Sequence, residues 1–210
     1  MIRHGEEKTI VLDKPKLILA EGRDAKEFLK WAYQGFRVDG VQVVDFGGNA
    51  ELRSSLQLIK NADGYEQVQS VLVARDVESD LGAAIQQVKS ALLAAGLPIP
   101  TQPCCFADGC PRVAYILFAG QSSDCPQCGT LEDLCLSSVV GDPLLDCVDD
   151  YLVCAERKGD VRRPHKAKLH TFLAGKDAYV GAKLGEAAMR KAWDWDHSAF
   201  RQLRLIIEQM

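Results

Sequence analysis

Short apolar runs alternate with amphipathic segments along the first half of the chain. The segments between the runs carry apolar residues three and four positions apart, as in helices that bury one face. Strands that are apolar on both faces and alternate with such helices are typical of a parallel sheet covered on both sides. The pattern therefore predicts an α/β fold with a four-stranded, mainly parallel sheet and helices on both faces. The predicted strands are residues 16–20, 41–46, 70–75 and 112–118.

The last third of the chain has a different pattern, because almost every segment from Glu132 onward shows helical periodicity. A length of 210 residues suits one domain with a sizeable core and a helical extension. We therefore expect a single domain at 1–210, made of an α/β core at 1–140 and a helical extension at 141–210.

Composition narrows the class of protein. Apolar residues make up 47% of the chain and charged residues 26%, values that are ordinary for a globular protein in water. No apolar run is long enough to span a bilayer. The start, MIRHGEEKTI, lacks the apolar core of a secretory signal. We expect a cytoplasmic protein without a membrane partner.

The formal net charge of −4 argues against a dedicated nucleic-acid coat protein, which would be basic overall. The segment 157–176 is nonetheless basic, and two readings of it stay open. It is either the solvated face of a helix or a surface that contacts the phosphates of a nucleic-acid partner. Its charged residues are Arg157, Lys158, Arg162, Arg163, Lys166, Lys168 and Lys176, with His165 and His170 between them.

Carboxylates follow three of the four predicted strands, whose ends read AEG, DFGG and ARDVESD. The C-terminal ends of parallel strands share one edge of the sheet, which is where sites form in such folds. Carboxylates gathered there repel one another unless a cation joins them, and Mg²⁺ takes oxygen ligands. An acid after a strand is also a common helix N-cap or turn residue. For Glu21, at the end of the first strand, both readings stay open.

Four segments carry a resemblance to a known fold. LILAEGRDAKEFL resembles the first strand and the signature Glu-Gly of the Toprim fold, which topoisomerases, primases and OLD-type nucleases share. The second strand of that fold and its glycine turn are matched by VVDFGGNAEL, and the strand that normally ends in Asp-x-Asp is matched by VQSVLVARDVESD. The segment after the fourth strand is matched by GTLEDLCL. With its helical tail, the chain is most similar to a small, uncharacterised family of single-domain Toprim-related proteins, close to the Toprim domain of OLD-type nucleases.

The resemblance implies a Toprim-like (Rossmann-like) sheet with an acidic cleft that binds Mg²⁺ or Mn²⁺. By position, Glu21 would be the general acid/base or a metal ligand, Asp76 the second acid of Asp-x-Asp, and Glu132 a further ligand. Glu21 and Asp76 are thus the candidate catalytic residues, and Glu21, Asp76 and Glu132 the candidate metal ligands. The implied chemistry is metal-dependent cleavage of nucleic-acid phosphodiesters.

Two expected acids are missing. Ala74 stands where the first Asp of Asp-x-Asp belongs, and Ala25 stands four residues after the signature Glu, where OLD-type enzymes carry an acid. Arg75 adds a positive charge, while Glu78 and Asp80 are either replacement ligands or helix caps. Fewer carboxylates lower the affinity for Mg²⁺, so we expect weak metal binding and a partly degenerate site. The alternative is a non-catalytic Toprim-like module that binds a protein or nucleic-acid partner.

All eight cysteines lie between Cys104 and Cys154. Four of them follow the spacing C-x₄-C-x₁₄-C-x₂-C, which is near that of a zinc ribbon, and four thiolates form a closed structural zinc site. These four are Cys105, Cys110, Cys125 and Cys128. The others indicate that the chain also uses cysteine as a small apolar residue. Structural zinc, disulfides and reduced thiols stay open as three alternatives.

Overall fold

The sheet is visible in a computed structural model that describes residues 10–118, 129–159 and 161–210. Its four strands lie in the order β2-β1-β3-β4, and every pair of neighbours is parallel. The strands are β1 (Lys16–Ala20), β2 (Val41–Asp45), β3 (Ser70–Asp76) and β4 (Arg112–Phe118). The predicted α/β fold with a four-stranded parallel sheet is confirmed.

Eight α-helices lie in the described part of the chain. Three of them connect successive strands: α1 (Gly22–Gly35), α2 (Leu52–Lys60) and α3 (Leu81–Ala94). Five follow β4 and form the predicted helical C-terminal third: α4 (Leu131–Ser137), α5 (Leu144–Lys158), α6 (Pro164–Ala174), α7 (Leu184–Met189) and α8 (Arg201–Glu208). Among the described helices, none combines the length and the apolarity that crossing a bilayer requires.

The alternation of side chains along each strand supplies two hydrophobic cores, one on each face of the sheet. In β1, Leu17 and Leu19 belong to one core, Ile18 and Ala20 belong to the other, and all four are fully buried. Residues of α2 and α3 complete the first core, while α1 and the five later helices complete the second. Helices therefore lie on both faces, and the helical extension shares its core with the sheet.

Aromatic packing joins α1 to the last part of the chain. The ring of Trp195 meets the ring of Phe28 edge-on, with centroids 5.3 Å apart, and meets that of Phe36 in the same way at 5.8 Å. Gly35, at the end of α1, makes room for this indole. A Cβ atom at Gly35 would lie 2.3 Å from Cδ1 of Trp195, which is far inside van der Waals contact.

We expect Gly35→Ala to lower the free energy of unfolding by about 1–3 kcal/mol, because the added methyl group overpacks against Trp195. Helix propensity alone would favour alanine by about 1 kcal/mol. A loss of stability in Gly35→Ala would therefore come from the contact with Trp195. Gly82→Ala in α3 is the matched control, since the nearest atom to its Cβ is Oδ1 of Asp80 at 3.4 Å. Urea unfolding measures both variants, and a Gly35→Ala protein as stable as Gly82→Ala would contradict the packing.

Candidate functional site

The C-terminal edge of the sheet brings together acids that are far apart in the sequence. Glu21 follows β1 directly, and its backbone N–H donates to the carbonyl oxygen of Ala74 in β3 at 3.1 Å. Asp76 ends β3, and its Oδ1 accepts the N–H of Leu131 at 2.8 Å. Glu132 is the next residue, in the first turn of α4. We call Glu21, Asp76 and Glu132 the acidic cluster.

Burial makes two carboxyl groups of the acidic cluster, those of Glu21 and Asp76, costly to ionise. The pKa of Asp76 is raised to about 7, first by burial and next by the charge of Glu132. Burial also raises the pKa of Glu21, although the Arg75 guanidinium acts in the opposite direction. Glu132 is 8% exposed. Because neighbouring carboxylates disfavour one another's charged forms, the acidic cluster needs positive charge nearby.

Arg75 supplies one positive charge from within the sheet. Its side chain is 3% exposed, and its Nε lies 3.6 Å from Oε2 of Glu21. Its Nη1 donates to Oε1 of Gln87 in α3 at 2.9 Å, and its Nε donates to the carbonyl oxygen of Asp76 at 3.3 Å. Gln87 and the backbone therefore hold the guanidinium against Glu21, and Arg75 points towards the acidic cluster.

Lys166 in α6 supplies a second positive charge, which sequence reasoning missed. Its Nζ lies 3.3 Å from Oε1 of Glu132, and its charge also lowers the pKa values of Glu21 and Asp76. One signal could have found it: Lys166 stands three residues before Leu169, which is fully buried. Residues three apart share a helix face, so Lys166 belongs to the inward face of a helix that looked basic and solvated.

Two further acids near the strand ends accept hydrogen bonds from the backbone. Oδ1 of Asp45, at the end of β2, accepts the N–H groups of Gly22 at 3.0 Å and Gly47 at 2.7 Å. Oδ1 of Asp80 accepts the N–H of Ala83 at 2.9 Å, so this acid caps α3. Of the two open readings for Asp80, the helix cap is the one observed.

The two alanines that replace expected acids both belong to the hydrophobic core beneath the helical extension. Ala74 is fully buried in β3, and Ala25 is 8% exposed in α1. Neither side chain offers an oxygen atom. An acid at either position would add another buried carboxylate to the same edge of the molecule.

The side chains present do not fit the preformed metal centre that the resemblance implies. Among the residues that the structure describes, no group of three or more His, Cys, Asp or Glu side chains is arranged to hold a metal ion. A guanidinium and an ammonium already lie beside Glu21 and Glu132, where a bound cation would meet like charge. The catalytic and metal-binding roles of Glu21, Asp76 and Glu132 stay predictions.

The choice between structural zinc, disulfides and reduced thiols stays open in part, because Cys125 and Cys128 lie outside the described residues. The six cysteines in the described ranges are free thiols. Burial raises the pKa of Cys104 to about 11 and that of Cys135 well above its ordinary value. These two thiols are therefore neutral at physiological pH.

The basic stretch 157–176 divides into paired and exposed residues. Lys168 and Lys176 form ion pairs of 2.6 Å with Asp149 and Asp142, and Lys166 pairs with the acidic cluster. The exposed residues where α5 gives way to α6 include Arg157, Lys158 and Arg163. We call these three residues the junction surface.

A comparison with known protein families covers nearly the whole chain, since residues 15–210 match one family. The chain belongs to the family described as Protein of unknown function (DUF3226). The match begins just before β1 and continues through α8, so a DUF3226 unit comprises the sheet and the helical extension together. No curated protein and no solved structure matches the chain.

The raised pKa of Asp76 predicts a pH dependence of stability. In the folded protein this pKa is about 7, against an ordinary value of 3.8. Between these values the folded state binds more protons than the unfolded state, so the contribution of Asp76 to stability falls as pH rises and is constant above about 7. Asp76→Asn keeps an acceptor for the Leu131 N–H but does not titrate.

We therefore expect the stability of Asp76→Asn relative to the natural protein to rise by about 2–4 kcal/mol between about pH 4 and about pH 8. Urea unfolding across this range measures it. Asp142→Asn is the control, because Lys176 lowers the pKa of Asp142 and this group stays ionised throughout. A flat difference for Asp76→Asn would contradict the burial of its charge.

Proposed function

We propose that this DUF3226 protein is a Toprim-related protein of the OLD-nuclease type, with a partly degenerate acidic cleft that binds Mg²⁺ or Mn²⁺ weakly and acts on nucleic-acid phosphodiesters. The parallel sheet supports the proposal, because Glu21 directly follows β1, Asp76 ends the neighbouring β3, and Glu132 lies in the first turn of α4, the helix after β4. These are the positions at which the resemblance expects acids. The proposal assigns the protein chiefly to binding, with weak use of Mg²⁺ or Mn²⁺ and slow cleavage.

The single observation that carries the proposal is the 3.6 Å approach of Arg75 to Glu21. A guanidinium does not lose its proton in proteins, so the positive charge beside the signature glutamate is permanent. In metal-assisted cleavage, carboxylates that are not already paired with another cation hold the metal ion. Here Glu21 is engaged by Arg75, while Ala74 and Ala25 supply no oxygen. An efficient nuclease centre is therefore disfavoured, although the acidic edge persists.

The junction surface supports a nucleic-acid partner in preference to a protein partner. Arg157, Lys158 and Arg163 are exposed basic residues close together in the chain, and basic side chains that neutralise phosphates gain free energy from counterion release. Arg163 directly precedes α6, the helix whose Lys166 pairs with Glu132 of the acidic cluster.

We expect the protein to bind labelled single- or double-stranded DNA without rapid cleavage in the presence of Mn²⁺. A double variant, Arg157→Glu with Arg163→Glu, should weaken binding by about tenfold or more at moderate salt, because it reverses charges that contact phosphates. Arg53→Glu in α2 is the matched control, since α2 covers the opposite face of the sheet. Fluorescence anisotropy measures binding, and gel electrophoresis measures cleavage.

Two results would overturn the proposal in different ways. Rapid cleavage by the natural protein, abolished by Glu21→Gln, would show a competent nuclease in place of a degenerate one. Equal DNA affinity for the double variant and Arg53→Glu would remove the junction surface as the contact.

A further inference from the structure

Lys166 links the helical extension to the edge of the sheet. It belongs to α6, yet its Nζ lies 3.3 Å from Oε1 of Glu132 in α4. Its charge is also felt by the carboxyl groups of Glu21 and Asp76. Lys166 thus pairs directly with Glu132 and adds positive charge to the edge where Glu21 and Asp76 lie.

The two cations beside the acidic cluster, Arg75 and Lys166, differ in how firmly they are held. Arg75 is 3% exposed and is fixed by Gln87 and by the carbonyl oxygen of Asp76. The side chain of Lys166 is 42% exposed, and within residues 10–118, 129–159 and 161–210 its one ion pair is with Glu132. Lysine has a flexible four-carbon stem, so Lys166 is able to leave the acidic cluster while Arg75 is not.

We propose that Lys166 is the counter-ion that completes the acidic cluster in place of a divalent metal ion, and that a metal ion enters only by displacing it. The inference rests on the proposed function, which treats Glu21, Asp76 and Glu132 as the remnant of a metal-binding edge. Mg²⁺ and Mn²⁺ prefer carboxylate oxygen ligands, and the ammonium of Lys166 holds one of those carboxylates. Lys166 acts through Glu132, so it is a positioning residue.

Calorimetric titration with MnCl₂ tests the competition directly. Lys166→Met removes the ammonium but keeps a long apolar side chain, and we expect it to bind Mn²⁺ about tenfold more tightly than the natural protein. Lys168→Met is the matched control, because it removes the same charge from the same helix and Lys168 pairs with Asp149, outside the acidic cluster. We expect Lys168→Met to behave like the natural protein. Lys166→Arg, which restores a positive charge, should restore weak binding.

Paramagnetic broadening of amide NMR signals by Mn²⁺ locates the ion. In Lys166→Met, the signals of Glu21, Asp76 and Glu132 should broaden at lower Mn²⁺ concentrations than in Lys168→Met. The same spectra show whether Lys166→Met is folded, and Lys166→Gln replaces it if it is not.

The inference is overturned if Lys166→Met and Lys168→Met bind Mn²⁺ with equal affinity, or if neither binds it at the acidic cluster. It is also overturned if the natural protein already binds Mn²⁺ there as tightly as Lys166→Met does. DNA affinity, measured on the same proteins without metal, separates this inference from the proposed function. Tighter Mn²⁺ binding by a protein that does not bind DNA would support the counter-ion and reject the function.

Discussion

A carboxylate buried at the edge of a sheet must be protonated or matched by a cation, because transferring an unpaired charge from water into a protein is very costly. This constraint governs the C-terminal edge, where three carboxyl groups meet. Asp76 responds by a pKa raised to about 7, whereas Glu21 and Glu132 each have a cation within 4 Å. Gln87 in α3 holds the first of these cations, and α6 carries the second.

The second cation, Lys166, comes from the helical extension. Lys166 reaches the acidic cluster only because α6 packs through Leu169, Phe172 and Leu173 into the core that the sheet shares with α1. That core and the Lys166–Glu132 ion pair therefore support each other. The family match over residues 15–210 agrees with this coupling, since it treats the sheet and the later helices as one unit.

The sequence was sufficient for the sheet and for the meeting of its acids. Apolar runs identify parallel strands, and parallel strands place Glu21 and Asp76 at one edge without any knowledge of packing. Local spacing does not locate the start of α2 as well, because α2 begins at Leu52 after a 3₁₀ turn, Asn49–Glu51. Oε2 of Glu51 there accepts the N–H of Gly48 at 2.6 Å. The role of Lys166 depends on where α6 docks, which is a tertiary property that local spacing indicates only weakly.

The residues that distinguish this chain from the Toprim pattern that it resembles act in one electrostatic direction. Ala25 and Ala74 carry no charge where the resemblance expects acids, and Arg75 brings a positive charge to the unspecified position of Asp-x-Asp. The edge is therefore less negative than the resemblance implies, before Lys166 is considered. An acid at position 74 alone would not build the implied metal site, because Arg75 would stay in place and the new carboxylate would lie in the core beside Ala20 and Ile116. Such a site would require removal of a cation as well as addition of an oxygen ligand.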